Sequence, residues 1–301
     1  MPREVWTILK ILQWTQQFFA RRGIENPRLD AELLLCAVLH KKRIDLYTHF
    51  DEPLEAQELV QYRQYVARRG AREPVAYILG SKGFLQHEFK VTKDTLIPRP
   101  ETESIVERLV HMNRTKGVRH ILDMGCGSGA IIVSLLAALP QAQGMAVDIS
   151  PAAVRVTEEN GKALGVSDRL KAVASDLYAN LPEGATFDVI VSNPPYIPHK
   201  DLNGLQQEVQ WEPKSALDGG EDGLDFYRRI LKDVWTYLKP TGLLAFEIGV
   251  GEADAIKELC TQTGFSTVQV VKDYGDIPRM VFAVKEGSDY GNEMLENNRK
   301  G

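Results

Sequence analysis

From residue 118 to residue 284 the chain alternates short β-rich runs with helical stretches, and that alternation leaves few folds open. VRHILDM (118–124) precedes GAIIVSLLAAL (129–139), and GMAVDI (144–149) precedes PAAVRVTEENGKAL (151–164). LKAVASD and FDVIVSN follow, then FYRRILKDVWTYL (226–238) and GLLAFEIG (242–249). This order predicts an α/β fold with a largely parallel sheet. VQVVKDYGDIPRMVFAV (268–284) adds a closing antiparallel pair.

Upstream the pattern is different. Val5, Ile8, Leu9 and Leu12, then Leu29, Leu33, Leu34 and Ala37, recur at helical spacing. Asn26-Pro27 supplies a capping residue and a proline for the first helical position, and another helix follows Asp51-Glu52-Pro53. Between the two patterns, YILGSKGFLQHEFKV (77–91) offers a Gly-Ser-Lys-Gly turn and an alternating Glu88-Phe89-Lys90-Val91, which predicts a hairpin. The expected organisation is a helical domain over 1–73, a β-hairpin linker over 74–95, the α/β domain over 96–285 and a polar, disordered tail over 286–301.

Composition narrows the function. No run of about 18 apolar residues occurs, and MPREVWTILK lacks the layout of a signal peptide, so a cytoplasmic protein without a membrane partner is expected. Cys36, Cys126 and Cys260 are odd in number and widely spaced; they read as free thiols, and no metal site is expected. Residues 1–80 carry 12 basic and 10 acidic side chains, the remainder 24 and 31, for a net charge of −5. Stable nucleic-acid binding is therefore not expected.

Three places carry chemistry. Asp123-Met124-Gly125-Cys126-Gly127-Ser128-Gly129 joins a β-run to a helix, and its glycines let the backbone approach a ligand and aim N–H groups at it. The spacing departs from GxGxxG, which favours a cofactor without pyrophosphate. Asp148 ends the next β-run, where a carboxylate can accept both hydroxyls of a ribose or cap the helix that opens near Pro151. Asp176, with Leu177, falls at the same edge, as a turn residue or an adenine contact. The third place is VIVSNPPYIP (189–198), a buried-strand run that stops at Asn193-Pro194-Pro195-Tyr196.

With these residues the chain resembles a class I, Rossmann-like methyltransferase that binds S-adenosylmethionine. Taken with REPVAYILG (72–80), LIPRPETE (96–103), DGGEDGLDFYRRI (218–230) and FEIG (246–249), the NPPY at 193–196 makes it similar to the bacterial HemK family, the N5-glutamine methyltransferases of peptide chain release factors. The resemblance runs from about residue 3 to residue 284. It implies methylation of the glutamine in a Gly-Gly-Gln motif, with the helical domain helping to hold the protein substrate. It also implies that Gly125, Cys126, Gly127, Ser128, Gly129, Asp148, Asp176, Leu177 and Asn193 bind the cofactor, and that the loop around Arg99 to Glu101 covers its methionine part. Leu177 stands where many relatives have an aromatic residue.

The chemistry explains why NPPY suits that task. An amide nitrogen is a poor nucleophile, so it must be held in line with the methyl donor. A residue before proline is extended, and proline has a fixed φ and no N–H. Asn193 and the Pro194 carbonyl are thus rigid acceptors for the two N–H groups of a primary amide, stabilising positive charge as the methyl arrives; Tyr196 can pack against the amide plane. The N-methylated amide is first formed as a cation, which is acidic enough to lose its proton to water without a dedicated base. His199 reads as a solvated loop residue, and Arg68, Arg69 and Arg72 as a solvated helix end. An N6-adenine or guanine-N2 nucleic-acid methyltransferase stands as the alternative, since a flipped base also offers a planar amine to NPPY. A non-enzymatic interaction module is disfavoured by the intact glycines, Asp148 and NPPY. A monomer is expected.

Overall fold

A computed structural model describes residues 5–114, 116–288 and 290. The chain divides into two compact units, Met1–Ser81 with Gln206–Trp211, and Lys82–Leu205 with Glu212–Gly301.

The first unit is helical: α1 (Ile8–Arg21), α2 (Pro27–Leu39), α3 (Arg43–Thr48), α4 (Ala56–Gly70) and α5 (Val75–Leu79). Thr7 caps α1 and Pro27 opens α2, although the Asn26 side chain makes no cap bond. Ile8, Leu12, Phe19, Leu34, Leu35 and Tyr62 form the core, and the Tyr62 hydroxyl donates to the Ala31 carbonyl at 3.1 Å. Short α3 escaped the reading of periodicity because a six-residue helix shows less than two turns of pattern.

The arginines at the end of α4 correct the expectation of a solvated helix end. Arg69 is 5% exposed; it bonds Asp30 at 2.7 Å and Glu208 at 2.8 Å. Arg72 takes the other oxygen of Glu208 at 2.7 Å and the Gly23 carbonyl, and Arg68 is paired with Glu73. Glu208 belongs to the 206–211 segment, so these cations fasten that segment to the helices rather than offering a basic patch.

The second unit begins within a hairpin, β1 (Ser81–Phe84) and β2 (His87–Lys90). Gly-Ser-Lys-Gly is not its turn: Ser81 to Phe84 are strand, and the chain reverses at Leu85-Gln86, with Leu85 at φ 52°. The Glu103 carboxylate accepts the Leu85 N–H at 2.9 Å and holds this left-handed residue. Glu103 lies in α6 (Pro100–Asn113), which opens with proline and has acids in its first turn.

Then come β3 (His120–Met124), α7 (Ala130–Ala138), β4 (Gln143–Asp148), α8 (Pro151–Ala163), β5 (Leu170–Ala174), β6 (Phe187–Ser192), α9 (Asp225–Tyr237), β7 (Leu238–Glu247), α10 (Ala253–Gln262), β8 (Thr267–Lys272) and β9 (Pro278–Val284). The strand order is β5-β4-β3-β6-β7-β9-β8, parallel from β5 to β7, with β9 antiparallel to both neighbours. Ile121, Val189 and Leu243 pack with α6 and α7 on one face; Leu122, Ile190 and Leu244 pack with α9 and α10 on the other. Burial on both faces is why these strands read as continuous apolar runs. The order reverses between β3, which pairs with β4, and β6, so both strands end at a crevice on the carboxyl edge.

Of the polar tail expected over 286–301, residues 289 and 291–301 lie outside the described residues. Ser288 and Tyr290 are buried, and the Tyr290 hydroxyl donates to Asn113 at the end of α6. No helix among the described residues is long and apolar enough to cross a membrane.

Candidate active site

At the crevice lies a cavity of about 470 Å3, within the size range of small-molecule sites. Gly125, Gly127, Asp148, Asp176, Leu177, Asn193, Pro194 and Pro195 line it; Cys126, Ser128, Gly129 and Tyr196 do not. Cys126 and Ser128 are buried beneath the turn, where Thr157 donates to the Cys126 sulfur at 3.3 Å. Gly129 opens α7 at φ 78°, and a Cβ there would meet Thr157 at 2.8 Å.

The glycine turn holds itself. Gly125 and Cys126 donate their N–H groups to the Val147 carbonyl at 2.8 and 3.0 Å, Gly127 donates to Asp148 Oδ2 at 2.9 Å, and Gly129 to the Cys126 carbonyl. The expectation that these N–H groups point at a ligand is therefore corrected for these four. The turn contributes close approach: Gly125 and Gly127 sit at φ 71° and 55°, and a Cβ on either would project into open space at the cavity wall.

Asp123 lies below the turn, 1% exposed, with Oδ2 accepting the Ile132 N–H at 3.2 Å and Oδ1 without a partner among the described residues. Burial pushes its carboxyl up to about 7; the Ile132 N–H opposes this and the Asp148 charge adds to it.

Asp148 does not itself cap the helix that opens at Pro151. Oδ1 accepts the Ser150 N–H at 2.9 Å and shapes the entry to α8, while the Ser150 side chain caps that helix. Each carboxylate oxygen takes one backbone N–H and keeps capacity for another donor from the cavity. Burial raises its pKa, with the Ser150 and Gly127 N–H groups opposing. Ile149 follows, 63% exposed on the same wall, an apolar surface that a planar ring can cover. Asp176 faces it from the β5 edge, held at 2.7 Å through both oxygens by Arg229 of α9, and Leu177 is a left-handed turn residue at φ 51°. Ile149 was marked by no motif, and Arg229 lies in DGGEDGLDFYRRI without a role assigned to it there.

A diol acceptor, a glycine wall and apolar flanks in one cavity fit the nucleoside of S-adenosylmethionine. LIPRPETE reaches the cavity through Leu96, with Asp94 and Thr95 just before it, and not through Arg99 to Glu101. Arg99 instead pairs with buried Glu212, which also accepts the Ile97 N–H at 2.9 Å.

NPPY is supported from three sides. Ser192 donates its hydroxyl to the Met124 carbonyl at 2.7 Å, tying the end of β6 to the glycine turn. Asn193 Nδ2 donates to Thr102 Oγ1 of α6 at 3.3 Å. The DGGEDG segment (218–223) is packed against NPPY: Ile197 donates to the Leu217 carbonyl and Gly219 to the Ile197 carbonyl, each at 2.9 Å. A Cβ on Gly219 would lie 2.8 Å from the Pro195 carbonyl oxygen, so only glycine fits that approach. Tyr196 packs toward the second core cluster, and burial pushes its phenol up to about 12, so its ring is no cavity wall. His199 is exposed and bonds Asp218 at 2.9 Å.

The family model described as PrmC N-terminal domain matches residues 10–80, and Methyltransferase small domain matches residues 102–221. A protein named Release factor glutamine methyltransferase from Geobacter sulfurreducens is 44% identical over 279 residues, covering 92% of this chain and 96% of that protein. The chain belongs to the release factor glutamine methyltransferases. A second member, from Rhodopirellula baltica, is 38% identical and covers 92% of this chain and 95% of its own. Among solved structures, the hMettl16 catalytic domain in complex with a MAT2A 3′UTR hairpin matches with a TM-score of 0.52 at 16% identity, covering 76% of this chain and 82% of that one. That likeness concerns the fold alone.

Proposed function

We propose that this chain methylates the side-chain amide nitrogen of the glutamine in the Gly-Gly-Gln motif of peptide chain release factors. The observation that carries the reading is Asn193: its Nδ2 is engaged by Thr102, which leaves Oδ1 to accept an amide N–H, with Pro194 beside it at the cavity wall. The second N–H of a primary amide goes to the Pro194 carbonyl. Bound S-adenosylmethionine supplies an electrophilic methyl on its sulfonium. Gly125, Gly127, Asp148, Ile149, Asp176 and Leu177 would hold its nucleoside. The chain's own work is positioning and charge stabilisation: two rigid acceptors aim the amide nitrogen and hold its hydrogens as positive charge develops. The acidified proton then leaves to water.

The helical unit serves as a docking surface for the folded release factor, and the charge balance of the chain supports a protein substrate without nucleic acid. A cytoplasmic monomer fits this role.

Mass spectrometry of release factors and of nucleic acids after incubation with isotope-labelled S-adenosylmethionine tests the reading. Label on the Gly-Gly-Gln glutamine is expected; label on an adenine or guanine with none on the protein would overturn it. Deletion of residues 1–80 should impair methylation of an intact factor more than cofactor binding, and a short glutamine peptide working as well as the intact protein would remove the docking role.

A further inference from the structure

Behind Asn193 lies a carboxylate that methyl transfer, as described, leaves unused. Glu247 ends β7 in FEIG and is 2% exposed. Its Oε2 has no hydrogen-bond partner among the described residues. The β6–β7 register sets Ser192 opposite Phe246, so Asn193 and Glu247 leave their strands side by side, and Thr102 of α6 and Asn193 are the side chains whose polar groups act on the carboxylate. Thr102 in turn receives Asn193 Nδ2–H at 3.3 Å. The charged and titratable groups around it are Arg279 from β9, Glu101 from α6, and the phenols of Tyr196 and Tyr227, of which Tyr227 donates to the Glu247 main-chain oxygen at 2.9 Å.

An ionised carboxylate only accepts. Thr102 has one hydroxyl proton, and with that proton given to Glu247 it has only lone pairs to offer Asn193. Asn193 then meets two acceptors, so its NH2 turns inward and Oδ1 outward. The opposite rotamer would set Oδ1 against a carboxylate with no proton between them, a costly arrangement in a buried site.

We propose that Glu247 is a positioning residue, which through Thr102 and the Asn193 NH2 fixes Asn193 Oδ1 as the acceptor for the substrate amide. The proposal rests on the glutamine-amide reading of the site. Only the ionised form imposes this order, because a protonated Glu247 can donate to Oδ1 and turn the amide around. Burial is the main cause that pushes the carboxyl up to about 7, with Thr102, Arg279 and Asn193 opposing and Glu101 adding to it. Turnover should therefore rise with pH as Glu247 ionises.

The test is kinetics on an intact release factor with saturating cofactor, from about pH 6 to about pH 9. Parent, Glu247→Gln, Thr102→Val, Asn193→Ala and the Glu247→Gln/Asn193→Ala double variant are compared. Glu247→Gln should lower kcat about tenfold and abolish the acid limb near neutrality, while KM and cofactor affinity stay within about twofold. In the Asn193→Ala background the same change should cost nothing more, because no amide remains to be oriented. Asp123 and Glu252 also titrate near 7, so the acid limb counts only if Glu247→Gln removes it. Should Glu247→Gln not fold, Thr102→Val breaks the same relay and should also lower kcat. Parental kcat with an intact acid limb, or an equal loss in both backgrounds, overturns the positioning role while leaving the functional reading standing. A parent that leaves glutamine unmethylated overturns that reading, and the role with it.

Discussion

Replacing Asp148 by alanine separates its structural bonds from its proposed ribose contact. The variant loses carboxylate bonds to the N–H groups of Gly127 and Ser150, both at 2.9 Å, which hold the glycine turn and the entry to α8. Each bond to a charged acceptor contributes about 1.5 to 3 kcal/mol, partly offset because a charge no longer has to be buried, so a net stability loss of about 2 kcal/mol is expected. If Asp148 holds the ribose, the cofactor should lose two contacts to a charged acceptor, about 2 to 4 kcal/mol, or roughly 30- to 1000-fold in Kd. Calorimetric titration of S-adenosylmethionine into the folded variant measures the loss. A 2′,3′-dideoxy analogue tells lost ribose contacts from a disturbed turn. It should bind the parent weakly and the variant almost as well as the natural cofactor does, because the acceptor of those hydroxyls is already gone. Unchanged affinity in the folded variant, or an equal penalty for the analogue in both proteins, would refute the assignment of Asp148 to the ribose.

Asn193→Ala should leave folding and cofactor affinity near parental values and lower single-turnover methylation by roughly 2 to 4 kcal/mol, on the order of a hundredfold; a near-parental rate would show NPPY to be structural only. Asp123 binds its proton up to about 7 in the folded protein against an ordinary value near 3.8. The unfolded carboxyl therefore ionises first, and stability falls as pH rises through that window, by on the order of 4 kcal/mol once it is crossed. Asp123→Asn should accordingly raise the urea midpoint of the cofactor-free protein at about pH 8 and hardly at all near pH 4, and a gain independent of pH would contradict the burial argument. Gly219→Ala places a methyl within 2.8 Å of the NPPY backbone and should reduce turnover more than it weakens cofactor binding. Parental turnover in that variant would show that the loop yields without moving Asn193.

The β and helical runs after residue 118, the glycine turn and NPPY were legible in the sequence because their causes are local. Val189-Ile190-Val191 is apolar because a parallel strand is buried on both faces. Two prolines after Asn193 make the backbone rigid whatever surrounds them. Local rules also misled where a partner lay far along the chain. The arginine cluster looked solvated until Glu208, more than a hundred residues on, closed over Arg69 and Arg72. Gly-Ser-Lys-Gly had turn composition, yet Glu103 of α6 captures the Leu85 N–H and the chain reverses two residues later. The glycine turn was readable as a turn, but not the fact that Val147 and Asp148 would take its N–H groups. Local residue patterns decide which backbone segments are stiff, buried or turning. What stands behind Asn193 was decided only when strand pairing set β7 beside β6 in register, Ser192 opposite Phe246. That register brings Glu247 against the Asn193 amide, and α6 brings Thr102. Periodicity names the strands. Their order comes from burying both faces of the sheet at once, and that order chooses which buried carboxylate meets which amide.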